Sequence, residues 1–255
     1  MTVAAQRFPR FDLVERVVHW CNATLFLILL GTGASLYFAP LSTIVGHRHL
    51  VKTIHVYSGL ALPVPILLGL LLPRGRQLRA DVSRINHWTA DDRRWWSRRN
   101  RANVQLGKFN PGQKLNAIFV GAAIVLMLGT GSIMRWFGPF SDSERTGATF
   151  VHDWVFITLL VVIVGHIMFA VGDGDSLRSM VRGWVPEQWA RRERPRWWAE
   201  VVAARAGGRA DDGGADDGNA DEDFGSADPA GDVEASRDQG LGEARVGTGE
   251  MPVGD

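Results

Sequence analysis

The chain has 255 residues, 46% of them apolar, and a formal charge of +1 from 28 Lys/Arg against 27 Asp/Glu. A single cysteine, Cys21, excludes an internal disulfide, a cysteine-ligated iron–sulfur cluster and a cysteine-rich zinc site. Averages hide the pattern: the apolar residues fall into four charge-poor blocks, and the charges lie between and after them.

Residues 1–16 are short and mixed, with Arg7, Arg10 and Arg16. The first apolar block, 17–38, carries His19 three residues after Arg16. At about 20 residues it is long for the core of a secretory signal, and three more blocks follow, so it is read as a membrane span. The second block, 53–72, has His55 near its start and Pro63 and Pro65 inside. A bend is expected there, because neighbouring helices can re-satisfy the carbonyls that proline frees. The third block is 115–134. The fourth, 150–172, reads FVHDWVFITLLVVIVGHIMFAVG, with His152 near one end and His166 near the other. Each block is long enough to cross a bilayer as a helix. The expected fold is all-α: an integral membrane four-helix bundle over residues 1–200, facing membrane lipid. Residues 201–255 are expected to form a disordered acidic tail, since from Ala206 onward fourteen Asp/Glu stand against three Arg, with Phe224 the lone aromatic.

Loop charge suggests an orientation. Eleven Lys/Arg against three Asp lie from Pro73 to Lys114, and six Arg against four acids from Asp173 to Trp198. The alternate loops hold only Arg48 and Arg145. The positive-inside rule then puts both termini and the long middle loop in the cytoplasm of a plasma-membrane protein. That loop mixes Arg93, Arg94, Trp95, Trp96, Arg98, Arg99 and Arg101. Partner docking and a headgroup-level aromatic belt both account for this composition.

His152 and His166 are 14 residues apart, so both leave one face of a helix, about 21 Å apart along its axis. By depth, His166 then groups with His19 and His152 with His55. Ionisable residues inside a span are costly enough to suggest function. Two imidazoles at each depth, on different helices, suit the axial positions of a planar macrocycle better than a zinc site, which wants more ligands at one point. No Cys-x-x-Cys-His is present for covalent attachment, so two haem b groups are expected. His47 and His49 lie outside the apolar blocks, and His87 sits in the basic loop. Gly33 and Gly69 follow His19 and His55 by 14 residues, and could make room for a ring or simply for close helix approach. Before the third span, Gly107–Lys114 (GKFNPGQK) reads as a turn with Asn110 as helix cap and Pro111 at the first helical position.

These features together resemble the cytochrome b (gamma) subunit of membrane-bound respiratory formate dehydrogenases. The resemblance rests on Arg16-Val17-Val18-His19-Trp20, His55, Gly107–Lys114, the His152/His166 pair, and Gly183-Trp184-Val185 through Trp189-Ala190. It covers roughly residues 7–198. It implies one haem held by His19 and His166 toward the cytoplasm and another by His55 and His152 toward the outside. It further implies a menaquinone near Asn110, Gly112, Gln113 and His166. The implied partners are an iron–sulfur subunit and a molybdenum or tungsten catalytic subunit, with no nucleic acid. Electrons would pass from the iron–sulfur subunit through the two haems to the quinone, and formate would be oxidised elsewhere than in this chain. Alternatives are the cytochrome b of a related hydrogenase or thiosulfate-type reductase, and a haem-free membrane anchor.

Overall fold

A computed structural model describes residues 7–97, 104–136 and 138–213. Four helical segments are long and apolar enough to cross a membrane: Leu13–Tyr37, Arg48–Leu71, Pro111–Arg135 and Asp142–Gly172. The chain is an all-α, multi-pass membrane protein. Large apolar side chains such as Leu27, Leu71, Val125, Val161 and Phe169 are exposed along these helices, as lipid-facing positions must be. Inside, Phe26, Leu62, Ala123 and Leu159 form a small core that Leu29, Phe119 and Met127 extend.

Each span but one starts on a side-chain cap. Helix α1 (Leu13–Tyr37) begins at Asp12, which accepts from the Glu15 N–H at 2.8 Å while Glu15 accepts from the Asp12 N–H at 2.7 Å. After the short α2 (Ala39–Val45), the second span is made of α3 (Arg48–Ala61) and α4 (Val64–Leu71). The break falls at Leu62 and Pro63, where the prolines predict a bend. A 3-10 turn at Pro73–Gly75, α5 (Arg76–Asn86) and α6 (Ala90–Arg94) follow in the basic loop. Helix α7 (Pro111–Arg135) is the third span and α8 (Asp142–Gly172) the fourth. Ser141 and Glu144 cap α8, so it starts eight positions ahead of residue 150. Its polar first turns carry no hydropathy signal.

A second layer closes one end of the bundle. It holds α9 (Gly174–Arg182), α10 (Glu187–Glu193), α11 (Pro195–Gly213) and two short antiparallel strands, β1 (Arg7–Pro9) and β2 (Trp184–Pro186). Gly183 ends α9 at φ +85°, a left-handed turn that glycine adopts readily. Its carbonyl accepts from the Arg10 and Phe11 N–H groups at 2.8 and 3.2 Å. Phe8, Val185, Trp189, Ala190 and Trp197 bury themselves behind the strands. Helix α11 runs past residue 201, the expected start of the tail. The tail from 214 to 255 lies outside the described residues, as do Arg98, Arg99 and Arg101.

Candidate cofactor site

The spans bring the four histidines together in two pairs. His19 of α1 faces His166 of α8 with ring centroids 6.4 Å apart and planes inclined 55°. His55 of α3 faces His152 of α8 at 6.3 Å and 66°. These are the pairs that depth groups in the sequence. The unbroken α8 holds the two sites about 21 Å apart along its axis. His47, His49 and His87 are exposed and join neither pair.

The spacing within each pair tests what could sit there. One metal ion bound through a nitrogen of each imidazole at about 2.0 Å separates the ring centres by roughly 6.4 Å. Both pairs hold that separation. Among the described residues, no three His, Cys, Asp or Glu side chains converge, so each pair could offer a metal two imidazole nitrogens. The donor set fits an iron whose other four positions belong to a planar macrocycle.

At His55 and His152 the surroundings supply the rest. A cavity of about 650 Å³ borders both rings and is walled by apolar side chains such as Phe26, Leu29 and Met127. That is within the range of about 300–1,000 Å³ for small-molecule sites. Arg48, Lys52 and Arg135 also border it, cations suited to the carboxylates of a haem. Thr32 and Thr130 orient the two rings. Each hydroxyl donates its one proton to a carbonyl four residues back, Ile28 at 2.7 Å and Leu126 at 2.8 Å. Each must then accept from the histidine, and the Nδ1 of His55 and of His152 lies 2.9 Å away. This arrangement favours the Nδ1–H tautomer, in which Nε2 is the nitrogen that could bind a metal. Neither threonine stands out in the sequence; a Thr next to a glycine, as in Thr32-Gly33 and Thr130-Gly131, is the one visible signal.

The glycines divide. A Cβ on Gly33 would lie 3.4 Å from both His55 Cε1 and Phe156 Cε2, and one on Gly131 would lie 3.5 Å from His152 Cε1. These two border the paired rings. A Cβ on Gly69 would meet Leu78 at 2.7 Å and Val18 at 2.9 Å, so that glycine serves close approach of α4 to α5 and α1.

The segment before α7 is a cap. Asn110 Oδ1 accepts from the Gln113 N–H at 2.8 Å, and Gln113 Oε1 accepts from the Asn110 N–H at 3.0 Å. Gly112 sits under Trp95, which a Cβ would approach to 3.6 Å. The described side-chain hydrogen bonds of Asn110 and Gln113 thus run to each other's backbone N–H, not to a histidine. Lys114 binds the Asp92 carboxylate at 2.8 Å and the His87 carbonyl at 2.7 Å, tying the basic loop to the base of α7. Burial pushes the Asp92 carboxyl up, but hydrogen bonds from Lys114 and Thr89 outweigh it and hold its pKa below the ordinary value.

Sequence reasoning passes over a buried ion cluster beside this loop. Lys108 Nζ, with no exposed side-chain surface, donates to Glu15 Oε1 at 3.0 Å and to Asp81 Oδ2. Arg84 holds the other Asp81 oxygen at 2.7 Å. Arg10 is buried as well, donating to Ser176, Ser179 and the Lys108 carbonyl. Burial, then nearby Arg194, lower its pKa, while Asp173, Asp81 and Glu15 oppose them. Asp12-Leu13-Val14-Glu15 is legible as a capping box, but the second role of Glu15, as partner of a lysine 93 positions later, is not.

A family model described as prokaryotic cytochrome b561 matches residues 10–183. The chain is also similar to the cytochrome b556(fdo) subunit of a formate dehydrogenase from Escherichia coli (strain K12), 29% identical over 206 residues, or 75% of this chain and 92% of that one. The formate dehydrogenase cytochrome b556 subunit of Haemophilus influenzae is 29% identical over 211 residues, covering 78% of this chain and 85% of its own. A nitrate-inducible counterpart from Escherichia coli (strain K12), the cytochrome b556(Fdn) subunit, is 22% identical over 210 residues, covering 80% and 96%.

Proposed function

The chain belongs to the prokaryotic cytochrome b561 family, membership that implies haem b, and from it we propose that this is the di-haem membrane subunit of a respiratory formate dehydrogenase complex. Its role is to carry electrons from an iron–sulfur subunit, served by a molybdenum or tungsten catalytic subunit, to menaquinone. The observation that carries this reading is the pair of facing histidines at each end of α8, both spaced for one ion. His19 and His166 hold one haem b; His55 and His152 hold the other. Such a group supplies one-electron redox chemistry at its iron. The protein's residues do the rest. Thr32 and Thr130 set the histidine tautomers, and Arg48, Lys52 and Arg135 favour an anionic edge at the cavity. Asn110, Gly112 and Gln113 border the quinone near His166. The positive charge of the basic loops supports a cytoplasmic side for both termini and for this quinone, by the positive-inside rule.

His166→Ala tests the assignment. It should remove one haem b signal and quinol formation together, leaving the haem of His55 and His152. A purified His166→Ala protein that kept two low-spin haem b signals would show the pairing to be wrong.

A further inference from the structure

The Lys108–Glu15–Asp81 cluster holds no part of the histidine pairs, yet three separate elements converge to build it. Glu15 comes from the first turn of α1, Asp81 from α5, and Lys108 from the segment leading into α7. Its position links it to the proposed quinone site. Glu15 lies four residues before His19 on the same face of α1, about 6 Å along the axis. Lys108 is two residues before Asn110. At the other end, Arg84 holds Asp81 with 39% of its side chain exposed, whereas Glu15 and Asp81 are 5% exposed and Lys108 not at all. The hydrogen bonds therefore run unbroken from a solvent-facing edge to the base of the His19 face.

We propose that Asp81, Lys108 and Glu15 form the proton relay that serves quinone reduction beside Asn110. This rests on the function proposed above, since a quinone becomes a quinol only by taking up two electrons and two protons. The Glu15 carboxyl O–H breaks and a new O–H forms on a quinone oxygen. A Lys108 Nζ proton re-protonates Glu15, water at the Arg84 edge protonates the Asp81 carboxylate, and the Asp81 O–H so formed then breaks to return a proton to Lys108 Nζ. Two passes match the two electrons that the cytochrome delivers. The charged groups facing the relay are Arg10 from the N-terminal segment and Arg84 from α5, with Arg194 and Asp173 beside Arg10. With Lys108 they make four cations against the three carboxylates Glu15, Asp81 and Asp173 when all are ionised. An added proton raises that excess of positive charge, and an electron arriving nearby offsets it.

The test uses the full haem-loaded chain, chemically reduced and then mixed with a short-chain naphthoquinone while haem re-oxidation is followed. Glu15→Gln keeps the shape and the lysine contact, so both haem spectra should match the native protein. Its re-oxidation should be slower by on the order of a hundredfold, the contribution of a general acid, and should lose the native pH dependence. Asp81→Asn should do the same, and Glu15→Asp should restore most of the rate. In infrared difference spectra of the protein, a protonated-carboxyl band should appear on reduction and be missing from Glu15→Gln. Native rates in both Glu15→Gln and Asp81→Asn at neutral and alkaline pH would overturn the relay and leave the cluster a structural clamp. Should Glu15→Gln fail to bind haem, Asp81→Asn decides alone. If the native chain itself is not re-oxidised by the quinone, the proposed function fails and the relay with it.

Discussion

Thr130 shows how one hydroxyl can decide which nitrogen of a histidine meets a metal. With its proton on the Leu126 carbonyl, it offers His152 only a lone pair. Thr130→Val keeps the volume and removes the acceptor. Haem retention at the His55/His152 pair should weaken about tenfold or more, as for other groups that orient metal-binding histidines. The spectral contribution of the His19/His166 pair should stay; titration of the purified protein with haem measures both. This layer was not legible in the sequence, because threonines that back-bond to their own helix are common in membrane spans. Asn110 is the opposite case: its cap is readable, and its proposed quinone role is not. Asn110→Ala should cost about 1 kcal/mol of helix capping, and should lower quinol-linked turnover with both haems retained. Loss of haem would make the role structural.

At the scale of elements, the four spans and the Pro63 bend follow from apolar blocks and a proline rule. The starts of α8 and α1 do not follow from hydropathy, because their polar first turns look like loop and only a capping pattern marks them. The β1–β2 pair is three residues on each side and separated by most of the chain, so no local period announces it. Gly183 and Trp184 belong to the family-like motif, and their structural reason appears only once Arg7–Pro9 lies beside them. The basic loop reads as a charged connection, but Asp92 and Lys114 anchor it with side chains only 1% and 4% exposed. Asp92→Asn leaves a buried lysine without its anion, and should destabilise the fold by about 3 kcal/mol or more. The pH dependence follows from the lowered pKa of Asp92. Its ionised form is favoured in the folded protein, so its stabilisation is full above the ordinary carboxylate pKa, about 4, and fades as pH falls through the folded value. Thermal unfolding in detergent should show an acid-side loss in the native protein that is smaller in Asp92→Asn.

Within residues 7–210, the chain is a helical bundle with a lipid-facing exterior and a cap of small elements at one end. The capping end carries every buried ion pair described here, Lys108 with Glu15 and Asp81, and Lys114 with Asp92. The other end carries the apolar cavity of His55 and His152. Under the proposed function, electrons and protons would have to meet near His19 and His166.

With a haem at each pair, as proposed, the fixed length of α8 between His152 and His166 would also make the protein sensitive to voltage. An electron moved between the two histidine pairs travels about 21 Å of a hydrocarbon layer about 30 Å thick. It therefore crosses roughly two-thirds of the membrane field, about 1.6 kcal/mol for each 100 mV. In sealed vesicles, imposing that potential should redistribute an electron shared by the two haems on the order of fifteenfold, with the sign set by insertion direction. Spectra of half-reduced protein under a potassium diffusion potential would read that shift. An absent shift would mean that the two sites lie at one depth. The rigid helix would then act as a capacitor gap as well as a scaffold: every transfer along it is also work done on, or drawn from, the membrane.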